Sequence, residues 1–117
     1  MVKLSAAIIT FNEEHNIERC IKSIIDVADE IVVVDSYSTD NTKEICLKHG
    51  VKFIENEFKG HIEQKNYALS QVTHEYVLSL DADEALGDTL KHNILKLKES
   101  FSSDGYYFNR LTHYLSL

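Results

Sequence analysis

The chain has 117 residues, a formal net charge of −7 and 44% hydrophobic residues, with no proline and two cysteines. That length suits one domain with one core, and the mixing of charged with apolar residues excludes general disorder. The acidic balance argues against a nucleic-acid binder and against simple attraction to an anionic membrane surface, both of which use basic patches.

Residues 4–10 form an apolar run suited to a strand. With a single preceding lysine, the run is too short for a signal peptide, and no apolar stretch approaches the ~20 residues of a membrane span. From Asn16, apolar residues recur at Ile17, Cys20, Ile21, Ile24 and Ile25, which is helical spacing. Residues 30–36, EIVVVDS, are apolar on both faces, as in a parallel strand covered on both sides. STDNTKEICLKHG (38–50) reads as a loop, a helix start capped by Asp40 or Asn41, and a short helix ending at Gly50. Residues 51–56 predict a third strand, residues 61–72 a helix with Ile62, Leu69 and Val72 on one side, and residues 75–80 a fourth strand. Leu90, Ile94, Leu97 and Phe101 lie at helical spacing, and residues 104–117 read as a turn followed by aromatic-rich, strand-like sequence.

The alternation predicts an α/β domain over 1–117, with a mostly parallel central sheet and helices on both faces. The chain stops at Leu117 within apolar sequence, which points to a piece of a longer protein. Cys20 and Cys46 fall on apolar helix faces and read as buried free thiols, in keeping with a reducing cytoplasm. The six histidines are scattered and read as surface residues. No dinucleotide or Walker-type glycine loop is present.

In open α/β sheets, ligands bind beyond the carboxyl ends of the strands. Asp35 closes the second strand there, and Asp81 closes the fourth, within YVLSLDADEAL (76–86). In extended chain, Asp81 and Asp83 share one face about 6–7 Å apart, with Ala82 pointing the other way into the core. Two such carboxylates repel each other and any incoming phosphate, and a divalent cation removes both problems. All-oxygen ligands favour Mg2+ or Mn2+, which keep positions for water and substrate phosphates. A lone D-x-D is also common as a solvated turn, so its company counts. DSYSTDNT offers Asp35 to a ring N–H or a ribose hydroxyl of a nucleoside. ITFNEE offers Thr10, Phe11, Asn12 and Glu14, with Phe11 either stacking on a base or buried. EQKNYAL offers Lys65 to a phosphate or a base oxygen, or simply to solvent.

These segments, in this order and spacing, resemble the family 2 glycosyltransferases of GT-A fold: AAIITFNEEHNIERCIKSI, EIVVVDSYSTDNT, QKNYAL and YVLSLDADEAL. The likeness covers nearly the whole chain and is greatest to bacterial lipopolysaccharide-core glucosyltransferases. It implies inverting transfer of a sugar, glucose by that likeness, from a nucleotide-diphosphate donor, commonly a UDP-sugar, to a saccharide or lipid-linked acceptor. Thr10, Phe11, Asn12 and Glu14 then match the first nucleotide-binding loop, Asp35 the acid that holds the base, and Lys65 a basic residue near the nucleotide. Asp81 and Asp83 match the metal and diphosphate motif, with Mg2+ or Mn2+ as cofactor. The family's general base has no counterpart here and is expected beyond Leu117, while Glu84 reads as structural. The protein is expected in the cytoplasm, with an envelope product and peripheral association of the full-length protein with the membrane, and an edge strand at the end of the chain is expected to promote self-pairing into a homo-oligomer. A non-catalytic nucleotide-binding or regulatory α/β module is the alternative.

Overall fold

The computed structural model describes residues 3–101 and 114–116. Its elements are β1 (Leu4–Thr10), α1 (Ile17–Ile24), β2 (Glu30–Asp35), α2 (Thr42–Lys48), β3 (Lys52–Glu55), α3 (His61–Ser70), β4 (Tyr76–Asp81), α4 (Asp88–Phe101) and β5 (Tyr114–Ser116). The aromatic-rich stretch expected over 104–113 lies outside the described residues. The strands run in the order β3-β2-β1-β4-β5, and every neighbouring pair is parallel. The chain steps from β1 outward through β2 to β3, then returns to place β4 on the other side of β1. The strand order therefore reverses between β1 and β4, and such a switch point opens a crevice beyond the strand ends.

The period-2 geometry of strands divides the core into two layers. Ala6, Ile8, Val33, Leu78 and Leu80 pack with Ile17, Cys20, Ile21 and Ile24 of α1, Cys46 of α2 and Ile94 of α4. Ala7, Ile9, Val32, Val34 and Val77 face the other way, against Ala68 and the half-buried Tyr67 and Leu69 of α3. Every residue of β1 is buried, as a central strand covered on both faces requires. Both thiols are free and buried. Among the described residues, no helix is long and apolar enough to cross a membrane.

Three helix faces differ from the sequence expectation. Ile25 is exposed because α1 ends at Ile24. On α3, Ile62 is 72% exposed while Gln64 is 1% exposed. The Gln64 amide is accommodated by donating to Ser36 Oγ at 3.0 Å and accepting from Asn56 Nδ2 at 3.0 Å. On α4, Leu90 and Leu97 are exposed, and Ile94 and Lys98 take the inner face. Lys98 Nζ donates to the Val27 carbonyl at 2.8 Å and to Asp29 Oδ2 at 2.9 Å, which pairs the charge that burial would otherwise penalise.

Candidate functional site

The parallel register brings the expected residues to one edge. Thr10 lies opposite Asp35, and Ile9 lies opposite Asp81. Pairing continues one residue further on each side of β1: Ser36 N–H donates to the Thr10 carbonyl at 3.0 Å, and Ala82 N–H to the Ile9 carbonyl at 3.1 Å. A cleft of about 450 Å³ opens there, lined by Ile9, Thr10, Phe11, Glu13, Ser36, Phe58, His61, Gln64, Asp81, Ala82 and Asp83. That volume falls in the range of small-molecule sites, roughly 300–1,000 Å³.

The loop after β1 is stitched to the loop after β2. Asn12 N–H donates to Ser38 Oγ at 2.7 Å, and Asn12 Oδ1 accepts from Thr39 N–H at 2.8 Å. Glu13 N–H donates to Thr42 Oγ1 at 3.0 Å, and Glu14 N–H to Asp40 Oδ2 at 3.2 Å. Asn12 has φ +49°, a left-handed conformation that asparagine tolerates better than most residues. Asp40 also accepts from the Thr42 amide at 3.0 Å and hydroxyl at 2.6 Å, so it caps the start of α2, whereas Asn41 makes no side-chain cap bond. Burial pushes the Asp40 carboxyl up, but the donors from Thr42 and Glu14 outweigh it and hold it below the ordinary value.

Thr10, Phe11, Asp81 and Asp83 thus line the cleft as expected. Asn12 and Glu14 instead shape its wall through the loop stitching, and the cleft-lining acid of that loop is Glu13. Asp35 departs from the expectation of a carboxylate open to a nucleoside. It is 0% exposed, and its two oxygens accept from the Ser38 amide at 2.8 Å and from the Ser38 hydroxyl. Burial on the inner side of a central strand requires those bonds, and Ser38 supplies them. The extended geometry assumed for Asp81 and Asp83 is also corrected. The strand ends at Asp81 and the chain turns: Glu84 N–H donates to the Asp81 carbonyl at 2.9 Å, and Glu84 Oε1 accepts from Asp81 N–H at 2.7 Å. Glu84 is therefore structural. Ala82 packs into the core at 2% exposure, and the turn leaves Asp83 exposed at the cleft.

Lys65 reaches Asp81 from α3, its Nζ lying 3.7 Å from Oδ1. His61, one turn earlier on the same helix, places Nε2 3.4 Å from the same oxygen. His61 is exposed, as the sequence reading expects, and also lines the cleft. Its i, i+4 spacing from Lys65 was the available signal that both belong to one face. Phe58 and Gln64 had no comparable signal, because one precedes the helix and the other breaks its apolar pattern.

Among the described residues, two buried side-chain oxygens find no hydrogen-bond partner: Thr10 Oγ1 and Asp81 Oδ1. Both belong to residues that line the cleft, at the switch point, and unsatisfied buried acceptors of this kind mark a place for a missing ligand. Among the described residues, no three His, Cys, Asp or Glu side chains form a metal cluster. Mg2+ and Mn2+ do not need one: they are held by one or two carboxylates, with substrate phosphates and waters completing the shell. Asp81 Oδ1, which accepts no hydrogen bond, and Asp83, which also lines the cleft, fit such a cation when it arrives with a phosphate ligand.

The parallel α/β sheet with a cleft at its switch point is a fold of GT-A type, the fold of the glycosyltransferases it superposes on. The chain belongs to glycosyl transferase family 2, whose model matches residues 5–116. It is 41% identical over 106 residues to an uncharacterized glycosyltransferase of Rickettsia typhi, covering 91% of this chain and 36% of that protein. It is 36% identical over 99 residues to the lipopolysaccharide core biosynthesis glycosyltransferase LpsC of Rhizobium meliloti, covering 80% of this chain and 36% of the relative. Glucosyl-3-phosphoglycerate synthase of Mycobacterium tuberculosis in complex with UDP superposes with a TM-score of 0.64 at 26% identity, over 71% of this chain and 34% of that one. A mannosyltransferase of Pyrobaculum calidifontis in complex with GDP-Man and Mn2+ gives a TM-score of 0.66 at 30% identity, over 77% and 30% of the two chains. The chain spans about a third of the length of these curated relatives, 36% in both cases.

Proposed function

We propose that this chain is the donor-binding part of an inverting glycosyltransferase that takes a sugar from a nucleotide-diphosphate donor. The donor assigned is a UDP-sugar with glucose as the sugar, and the acceptor an envelope glycan or lipid-linked saccharide, in the cytoplasm at the membrane face. The observation that carries this reading is the pair of buried oxygens, Thr10 Oγ1 and Asp81 Oδ1, that accept no hydrogen bond from the described residues at the switch point of a family 2 domain. UDP in the mycobacterial neighbour and Mn2+ in the archaeal one support the ligand classes. The lipopolysaccharide-core relative supports the acceptor class.

In this reading Thr10 and Phe11 receive the nucleoside, with the Phe11 ring, 55% exposed, available for stacking. Asn12 and Glu14 hold the loop that carries Phe11, and Asp35 acts beneath the base through Ser38. Asp81 and Asp83 face the diphosphate, and Lys65 stands beside it. A divalent cation held by Asp81 and Asp83 would offset the charge that builds on the departing nucleotide diphosphate. None of the described residues is assigned the role of general base for the acceptor hydroxyl, and the chain spans 36% of the Rickettsia relative's length.

Isothermal titration of the protein with UDP, with and without Mn2+, tests the assignment. Metal-dependent UDP binding that is lost in Asp81→Asn and weakened in Thr10→Val is the expected result. UDP binding that ignores the metal, or no binding at all, rejects it.

A further inference from the structure

Resting on the donor-binding reading above, we infer that Lys65 is an exchangeable counter-ion. It neutralises Asp81 while the cleft is empty, and it passes to the donor's diphosphate when Asp81 receives a divalent cation. The inference comes from the surroundings of one oxygen. Asp81 Oδ1 is buried and accepts no hydrogen bond, yet Lys65 Nζ stands 3.7 Å away and His61 Nε2 3.4 Å away. A settled ionic hydrogen bond between nitrogen and carboxylate closes to about 2.7–2.9 Å. This protein makes one elsewhere: Lys98 meets Asp29 at 2.9 Å, with the lysine side chain 7% exposed. Lys65, 25% exposed, is held near Asp81 by attraction without a fixed bond.

The helix that carries it is fixed by other means. Gln64 is tied to Ser36 and Asn56, and Ala68 packs in the core. Lys65 can therefore swing between partners while α3 stays in place. The turn after β4 crowds Asp81, Asp83 and Glu84 together, and Glu84 is committed to the Asp81 amide. A cation arriving alone must strip Lys65 from Asp81 and leave the ammonium without a partner. Arriving together with a diphosphate, it frees Lys65 to a new anion. Metal and nucleotide then favour each other's binding, and by linkage each must do so to the same degree. Lys65 contacts the donor directly in this scheme, and its removal has opposite signs in two assays.

Binding of Mn2+ is measured by electron paramagnetic resonance of the free ion, without nucleotide and with saturating UDP, in wild type, Lys65→Met and Lys65→Arg. Lys65→Met is expected to bind Mn2+ alone about threefold to fivefold more tightly, the size of a partly exposed ion pair. With UDP present, the same variant is expected to bind at least about tenfold more weakly, for the loss of a charged contact to phosphate. Lys65→Arg should follow wild type in both assays, and thermal melting shows that each variant is folded. A Lys65→Met protein that weakens in both assays, or whose affinity for Mn2+ alone does not rise, overturns the exchange. Wild type that binds no UDP with Mn2+ removes the donor-binding reading itself.

Discussion

The carboxylate of Asp35 accepts hydrogen bonds from both the amide and the hydroxyl of Ser38, and no part of Asp35 is exposed to solvent. The same Ser38 hydroxyl accepts from Asn12 N–H at 2.7 Å, so a relay runs from the end of β2 to the loop that carries Phe11. Ser38→Ala breaks both links, leaving one oxygen of the buried Asp35 carboxylate short of a partner and the exposed Asn12 N–H to solvent. It is expected to destabilise the fold by about 1–3 kcal/mol in urea unfolding. UDP affinity should also fall, although Ser38 does not line the cleft. If the alanine variant binds UDP as wild type does, the relay has no role in nucleotide binding.

The parallel sheet and the approximate strand limits were legible because they follow from local chemistry, whereas the strand order that creates the switch point is set by crossovers no local pattern encodes. The β-branched run Val32–Val34 and the apolar run of residues 76–80 define covered parallel strands, and the strand ends locate the acids. Side-chain commitments were less legible. A buried glutamine such as Gln64 is decided by Ser36 and Asn56, which meet it only in three dimensions. Lys98 is inside because Asp29 and the Val27 carbonyl, 69 and 71 positions earlier, happen to face it. The turn at Ala82 and Asp83 overrode the extended reading because Glu84, three residues on, folds back on Asp81. Each of these is a pairing of polar groups, and hydrophobic periodicity carries no information about such pairings.

Tyr37 has φ +62° and is 56% exposed. A bulky residue in the left-handed region costs about 1–2 kcal/mol and persists only where its surroundings hold it. Here they do, since Ser38 is bonded to Asp35 immediately after it. Tyr37→Gly and Tyr37→Ala both remove the ring, but only glycine relieves the backbone. The glycine variant should therefore be the more stable of the two by about 1 kcal/mol, after its larger unfolded-state entropy is allowed for. The opposite order in thermal unfolding would show that the backbone at 37 carries no strain.

Lys98 and Asp29 form a pair whose two halves are not equivalent. Lys98→Met leaves Asp29 still accepting from the Leu4 amide at 2.7 Å and is expected to cost about 1–2 kcal/mol. Asp29→Ala strands an ammonium on a lysine only 6% exposed and should cost more, about 2–4 kcal/mol. Burial pushes the Asp29 carboxyl up, but the Lys98 and Leu4 donors prevail and set it below its ordinary value. A carboxyl depressed in the folded state stabilises above its unfolded pKa, near 4, and loses that contribution as pH falls through its folded value. Wild type should therefore lose stability on acidification below about pH 4 more steeply than Asp29→Asn does. Equal slopes in chemical unfolding between pH 5 and pH 2, roughly the span over which such carboxyls titrate, would remove Asp29 from the acid response.

The two thiols should be silent in the folded protein. Burial, with the Glu84 and Asp83 carboxylates adding to it, pushes the Cys20 thiol up to about 12. Burial, with Asp35 nearby, does the same to Cys46, also to about 12. The thiolate is the reactive form, and neither site has the electropositive, open surroundings that favour it. At pH 8, iodoacetamide should therefore label neither cysteine until the chain unfolds, and the two should then label together, as mass spectrometry of the intact protein can follow. The pH dependence has a defined sign. Both groups ionise more readily in the unfolded chain, so their contribution is complete below the ordinary thiol value of 9.0 and is lost as pH rises from there toward 12. Cys20→Ala and Cys46→Ala should each flatten that alkaline decline while lowering stability at pH 7 through the cavity left in the core, by about 1 kcal/mol. Rapid native-state alkylation of Cys46 alone would mean that α2 opens independently of the sheet, and the loop it anchors through Thr42 would then be a mobile wall of the cleft.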